Sequence, residues 1–340
     1  MRRAVATGVL GAVLVGLLTF ATAAAPAAAC GCGGVVGPPD SAVSVSNERA
    51  IIHWDGGKET IELMVDMASD SNTAGIIIPT PFVPEVSAGD ARTFELIESS
   101  IVPTKHIETD WWGLGYLMPD PVETVADTFT RVRVGPLEAT TIAAEDTASL
   151  DTWLAVNNFE ISPDLAKSLS GYAELGWSLT AIKLTNETGL SGHIDPIRLS
   201  FETDRLVYPM RLAKSEKTPQ SVRLYVFDKQ RTGVSKANSP TVSLDADVTV
   251  AWSGATEDQR LLALGSYLTV FDIRYDDPPK QATSDIGVVY SLSESDVRPK
   301  TVHYRMITLL GIPVGTLIVL WTALGLTLAL GHVVGRRRAR

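Results

Sequence analysis

The chain has 340 residues, with 39 acidic against 29 basic side chains and only 5 histidines. Removing the two arginines near the start and the four in the last five residues leaves 23 basic against 39 acidic residues over positions 30–305, a net charge of −16. A surface so acidic repels nucleic-acid phosphates and anionic lipid headgroups, which excludes nucleic-acid binding and leaves cations, basic proteins and basic peptides as attracted partners.

The N-terminus reads as a secretory signal peptide over residues 1–29. Arg2 and Arg3 precede an apolar stretch at residues 9–20, and small residues close it at Ala27, Ala28 and Ala29. Cleavage after Ala29 makes Cys30 the first mature residue and delivers Cys30 and Cys32, the chain's two cysteines, to an oxidising compartment. A disulfide within Cys30-Gly31-Cys32 closes a small, strained and reducible ring, and strain of that kind is also what a redox pair uses. A lipid on Cys30 is disfavoured because Ala27 stands where leucine is usual and a lipid duplicates the anchor described below. Two cysteines alone supply too few ligands for zinc.

Residues 49–54 and 60–67 predict a hairpin, because Asp55-Gly56-Gly57 is turn chemistry and Ile61, Leu63, Val65 and Met67 alternate with polar neighbours. Ile76, Ile77 and Ile78 predict a strand buried on both faces and stopped by Pro79-Thr80-Pro81. Further strands are expected at residues 131–134, 177–184, 197–201, 206–212, 221–227, 242–252, 267–275 and 286–292. Two adjacent helices are expected in the middle of the chain. One carries Leu150, Trp153 and Leu154, and the next starts at Ser162-Pro163 with Leu165, Leu169 and Tyr172 on one face. Residues 92–99 and 257–265 are shorter helix candidates. The pattern predicts an α+β, β-rich, mainly antiparallel extracytoplasmic region over residues 30–290, long enough for one large domain or two intimate lobes, with one C-terminal transmembrane helix.

Residues 291–305 read as a polar stalk. Residues 306–334 contain no formally charged side chain, and the span exceeds the roughly 20 apolar residues that cross hydrocarbon. The basic tail at residues 335–340 places the C-terminus in the cytoplasm and the large domain outside the plasma membrane. Gly311 and Gly315 have the small-xxx-small spacing of a helix-pairing motif, so a homodimer through the span is one expectation.

Seven stretches in this order carry a resemblance: ACGCGG, ERAIIHWDGG, GIIIPTPFVPEV, ASLDTWLAVNNFEIS, GYAELGWSLTAIKL, DPIRLSFETDRLVYPMRL and SVRLYVF. Together they resemble the bacterial family catalogued as domain of unknown function 2330, from Cys30 to the region of Val226. The resemblance implies export and often a C-terminal span, but it transfers no catalytic residue.

Walker loops, G-x-G-x-x-G turns, H-E-x-x-H, S-x-x-K and G-x-S-x-G are absent from the sequence, so no cofactor is expected. Asp70, Asn72 and Gly75 begin like a calcium loop, but the next ligand position is Ala74 and the closing position Pro81. Trp111, Trp112 and Tyr116 form the most conspicuous aromatic cluster and suit a weak glycan or peptide contact. The preferred reading is a non-catalytic binding or scaffold protein of the cell envelope, with an envelope protein or glycan as partner. Two alternatives stand beside it: a hydrolase using carboxylates such as Asp66, Asp195 or Asp204, and a thiol-disulfide protein using Cys30 and Cys32.

Overall fold

The computed structural model describes residues 31–114, 131–132, 138–143, 147–187, 189–293 and 295–338. The expected signal peptide, Cys30 and Tyr116 lie outside the described residues. The chain opens with β1 (Gly34–Val36), β2 (Val43–Trp54), β3 (Lys58–Ser69), β4 (Thr73–Thr80) and β5 (Glu85–Ala88), followed by α1 (Ala91–Ser100) and β6 (Thr104–Asp110). Then come β7 (Arg131–Val132), β8 (Glu138–Ile142), α2 (Thr147–Asn157), α3 (Pro163–Ala173), β9 (Ser178–Thr185), β10 (Gly192–Ile194), β11 (Ile197–Glu202) and β12 (Val207–Tyr208). A 3-10 turn at Arg211–Ser215 leads to β13 (Gln220–Asp228), β14 (Thr232–Lys236), β15 (Asp247–Ala255), β16 (Tyr267–Tyr275), α4 (Pro278–Gln281) and β17 (Ile286–Tyr290). The C-terminal part holds β18 (Lys300–Met306), β19 (Thr308–Leu309), β20 (Ile312–Pro313) and α5 (Val314–Arg338).

The architecture is α+β and mostly antiparallel. A nine-stranded sheet runs β15-β16-β13-β2-β3-β10-β7, with β11 and β5 branching from β3, and a four-stranded sheet runs β1-β4-β9-β8. The β2–β3 hairpin at the centre forms as expected: Asp55 Oδ1 accepts from the backbone N–H groups of Gly57 (3.2 Å) and Lys58 (2.9 Å), and Gly56 takes φ 96°. Because strand side chains alternate between faces, β3 sends Ile61, Leu63 and Val65 to one side and Met64 to the other. The first set meets Ile76, Ile78, Ile182 and Leu184 of the smaller sheet, and this contact between sheets is the main core.

Helices close both outer faces. α2 and α3 lay Leu150, Trp153, Leu165 and Leu169 over Ile77, Leu179 and Ala181 of the smaller sheet. Ser162 caps α3 by accepting from Leu165 N–H at 3.2 Å, and Pro163 fills the first turn, where no N–H is needed. α1 presses Phe94 and Ile97 onto Ile51, Tyr225 and Val270 of the larger sheet, with the Phe94 and Tyr225 rings edge to face at 6.0 Å. The result is helix, sheet, sheet, helix.

Several expected boundaries are corrected. The strand expected at residues 206–212 ends after Tyr208, because the backbone then turns into the 3-10 segment around Asp285. Residues 257–265 form successive turns instead of a helix. The polar stalk is not free chain near the anchor: β18 pairs in parallel with all of β6, from Lys300 opposite Thr104 to Met306 opposite Asp110. The apolar helix begins at Val314 and not at residue 306. Ile312 is driven into extended backbone by Pro313, and Leu310 and Gly311 take positive φ, so residues 308–313 close as a hairpin instead of helix.

Replacing Phe94 with alanine removes the largest side chain that α1 buries on the sheet. The expected loss is about 3–5 kcal/mol of unfolding free energy, measured by urea denaturation of the full chain in detergent.

Candidate functional site

α1 covers only part of the outer face of the large sheet. Beyond its C-terminal end the side chains change from apolar to charged, in two neighbouring rows across the strands. Register places Thr249, Asp272, Arg223 and Arg49 side by side in one row. Asp247, Arg274 and Ser221 form the next, which reaches Asp66 and His193 on the far side of β2. All of these except His193, which stands behind Asp66, line a cavity of about 490 Å³ open to solvent.

Most of the charges in this shelf are held by a partner of opposite sign. Arg223 grips Asp272 with two bonds, Nε to Oδ1 at 2.6 Å and Nη2 to Oδ2 at 2.8 Å, and lies 3.6 Å from Glu98 at the end of α1. Hydrogen bonding to Asp272 is the main cause that raises the Arg223 pKa above the ordinary arginine value. Tyr225 donates its hydroxyl to Glu98, and burial followed by that carboxylate pushes its pKa well up. On the other side, a bulge in β2 between Val45 and Glu48 sets Ser46 and Asn47 opposite Asp66. Asn47 Nδ2 donates to Asp66 Oδ2 at 2.8 Å, His193 Nδ1 abuts Asp66 Oδ1, and Arg49 Nη2 lies 3.2 Å from His193 Nδ1. The arrangement presents both signs of charge a few ångströms apart on rigid strands, which suits a ligand carrying both an anionic and a cationic group.

A second set of polar groups is sealed between the sheets. Glu48 accepts from the Tyr208 hydroxyl at 2.5 Å and from the Cys32 backbone N–H at 3.4 Å. Burial raises the Glu48 pKa, opposed by its bonds to Tyr208 and Cys32. Among the described residues Glu59 receives only the Val207 N–H, at 3.1 and 3.2 Å to its two oxygens, and burial raises its pKa well above its ordinary value. Asp285 gathers Met210 N–H at 3.0 Å, Arg211 N–H at 3.1 Å, Arg211 Nε at 2.9 Å and the Tyr172 hydroxyl. That carboxylate therefore ties α3 to the strands around β17.

The structure disperses most of the residues singled out from sequence. Cys32 is 1% exposed, its backbone on Glu48, a position that gives a partner thiolate no approach. There is no disulfide among the described residues. Among the hydrolase carboxylates, Asp66 belongs to the shelf, Asp195 follows β10, and Asp204 lies exposed beyond the opposite end of β3, its carboxylate 3.9 Å from Arg205. Trp111 and Trp112 are not core: they are 49% and 53% exposed, at the start of the apolar helix. Gly311 sits in the turn of the final hairpin and Gly315 lies beneath the Trp112 ring, so the two glycines do not share a helix face for pairing. The sequence motifs do not single out the shelf residues Arg49, Arg223, Asp272 and His193. Their signal was present in β13 and β16, where Arg223, Asp272 and Arg274 interrupt strands that otherwise read as buried.

The family model described as "Uncharacterized protein conserved in bacteria (DUF2330)" matches residues 26–288, and the chain belongs to that family. The match covers all of the nine-stranded sheet and stops before β18 and α5. No curated protein matches the sequence. Among solved structures, the crystal structure of baculovirus P35 is similar with 8% identity and a TM-score of 0.37, over 76% of this chain and 97% of that one.

Glu59 gives a pH test with a defined sign. Its folded pKa is raised above the ordinary 4.5, so the folded chain holds a proton that the unfolded chain releases, and stability falls as pH rises above 4.5 towards the folded pKa. Glu59→Gln keeps an acceptor for Val207 N–H and removes this titration. Its melting temperature should decline less than that of the wild type between about pH 5 and about pH 8, with the variant gaining most at the higher value.

Proposed function

We propose that this chain is a membrane-anchored, non-catalytic binding protein of the bacterial envelope, and that the charged shelf on the large sheet is its ligand surface. The observation that carries the reading is the interleaving of Arg49, Arg223 and Arg274 with Asp66, Asp247 and Asp272 in one open cavity of about 490 Å³. Rigid neighbouring strands hold these groups, and Arg223 is fixed by a two-point contact, so little side-chain entropy remains to be lost when a ligand docks. A short peptide with free amino and carboxyl termini has the matching chemistry.

Anchoring rests on the helix Val314–Val334, whose 21 residues have a mean hydropathy of 2.1 and none of whose most apolar window is buried in the protein. At 1.5 Å per residue it spans about 31 Å, the thickness of the hydrocarbon core. The arginines at 336, 337, 338 and 340 support a cytoplasmic C-terminus and an outward-facing domain.

The test is calorimetry on the full chain in nanodiscs, with tetra-alanine bearing free termini as the probe and its acetylated, amidated form as control. Binding is expected for the free peptide only, weakened about tenfold by Arg223→Lys, which keeps the charge and loses the planar fork. Equal heats for both peptides, or unchanged affinity in Arg223→Lys, would remove the shelf as the ligand surface.

A further inference from the structure

We infer that the loop after β6 and the β19–β20 hairpin form a lipid-interface foot, which inserts into the headgroup region beside the span and fixes the tilt of the folded domain on the bilayer. This rests on the proposal that α5 crosses the membrane. The two segments are joined to the first turn of that helix: Trp111 C=O accepts from Gly315 N–H at 2.7 Å, and Ile307 C=O accepts from Val314 N–H at 3.1 Å. The Trp112 ring lies over Gly315, where a side-chain carbon would meet it at 2.5 Å, and Gly113 packs against Pro313 in the same way at 2.7 Å. Whatever depth α5 takes, these residues sit at its mouth.

Their composition is that of an interface and not of an aqueous surface. Trp111, Trp112, Leu114, Leu309, Leu310 and Ile312 are all exposed, and none carries charge. Indole rings prefer the headgroup level, where one edge is wet and the other apolar. The loop that presents them is rigid: Asp110, itself buried, accepts at one oxygen from Trp112 N–H (3.1 Å), Gly113 N–H (2.9 Å) and Leu114 N–H (3.2 Å).

The hairpin tip makes the same point independently. Leu310 and Gly311 have φ of 54° and 78°, the two positive values of a tight hairpin turn whose first position normally takes asparagine or aspartate. A leucine there is strained, and it is also 94% exposed. In water it would be unfavourable on both counts. Embedded among acyl chains the exposure becomes a gain, and the turn aims that one side chain outward. Because the domain is strongly acidic, attachment through this foot depends on apolar burial and is insensitive to salt.

The experiment uses the full chain in phosphatidylcholine nanodiscs and reads tryptophan quenching by lipids brominated either near the headgroup or near the end of the acyl chain. The expected result is two components: one quenched by the shallow label and lost in the double variant Trp111→Phe, Trp112→Phe, and one quenched by the deep label and lost in Trp321→Phe. The shallow component should survive high salt and shrink in Leu310→Asn, a change that relaxes the turn and so should not unfold it. A deep component without a shallow one would overturn the foot while leaving the anchor intact. Loss of the deep component would instead remove the anchor on which it rests. A Trp111 and Trp112 signal untouched by either label but altered by soluble glycan fragments would assign the pair to glycan and overturn the lipid reading.

Discussion

Burial of the inner face of the nine-stranded sheet against the four-stranded sheet is the contact on which the rest of the structure depends. Two sheets about 10 Å apart leave no room for water, so every side chain on the two facing surfaces must be apolar or fully bonded. Ile61, Leu63, Val65, Ile76, Ile78, Ile182 and Leu184 meet the first condition. Glu48 and Asp285 meet the second, Glu59 meets it in part through one bond and a raised pKa, and the bonds of the three to Tyr208, Val207, Met210 and Arg211 cross between elements far apart in sequence. Those carboxylates are therefore registration points: Asp285 alone holds β17, α3 and the 3-10 segment in one arrangement. Losing one partner would strand a buried polar group, which costs more than the bond gains.

That inner burial leaves the outer face free to vary, and the protein divides it in two. Under α1 it is apolar, and beyond α1 it becomes the charged shelf. The division follows strand alternation: Ile51 and Tyr225 lie beneath the helix, while Arg49 and Arg223, two positions earlier on the same faces, lie beyond it. A ten-residue helix covers about 15 Å of a strand's length, less than the longer strands provide. The open end is a consequence of that mismatch, and the bulge in β2 turns Asn47 towards Asp66 at its border.

The C-terminal apolar helix obeys a different constraint. The first N–H groups of a helix have no partner within the helix, and in hydrocarbon no solvent supplies one. Here the first N–H groups of α5 are taken by Ile307 and Trp111, so the start of this apolar helix is folded into the domain and not tethered by loose chain. The parallel β6–β18 ribbon carries this coupling back towards the sheets.

Much of this was legible in the sequence. Period-two alternation specified the β2–β3 hairpin, serine and proline specified the start of α3, and an uncharged stretch followed by arginines specified an apolar C-terminal helix. These signals are local, and each is decided by neighbours within a few residues. Sequence could not decide which exposed strand positions would share a face, because Arg49, Arg223 and Asp272 become neighbours only through a register set by burial on the opposite side. Nor could it decide the surroundings of Trp111 and Trp112: the aromatic cluster is visible in the sequence, but only the structure sets it, exposed, against the first turn of a helix far away in the chain. Local chemistry determined the elements and the apolar C-terminal helix; the tertiary structure alone decided the charged shelf and the exposed aromatic cluster beside that helix, since each is assembled from distant segments brought together by packing.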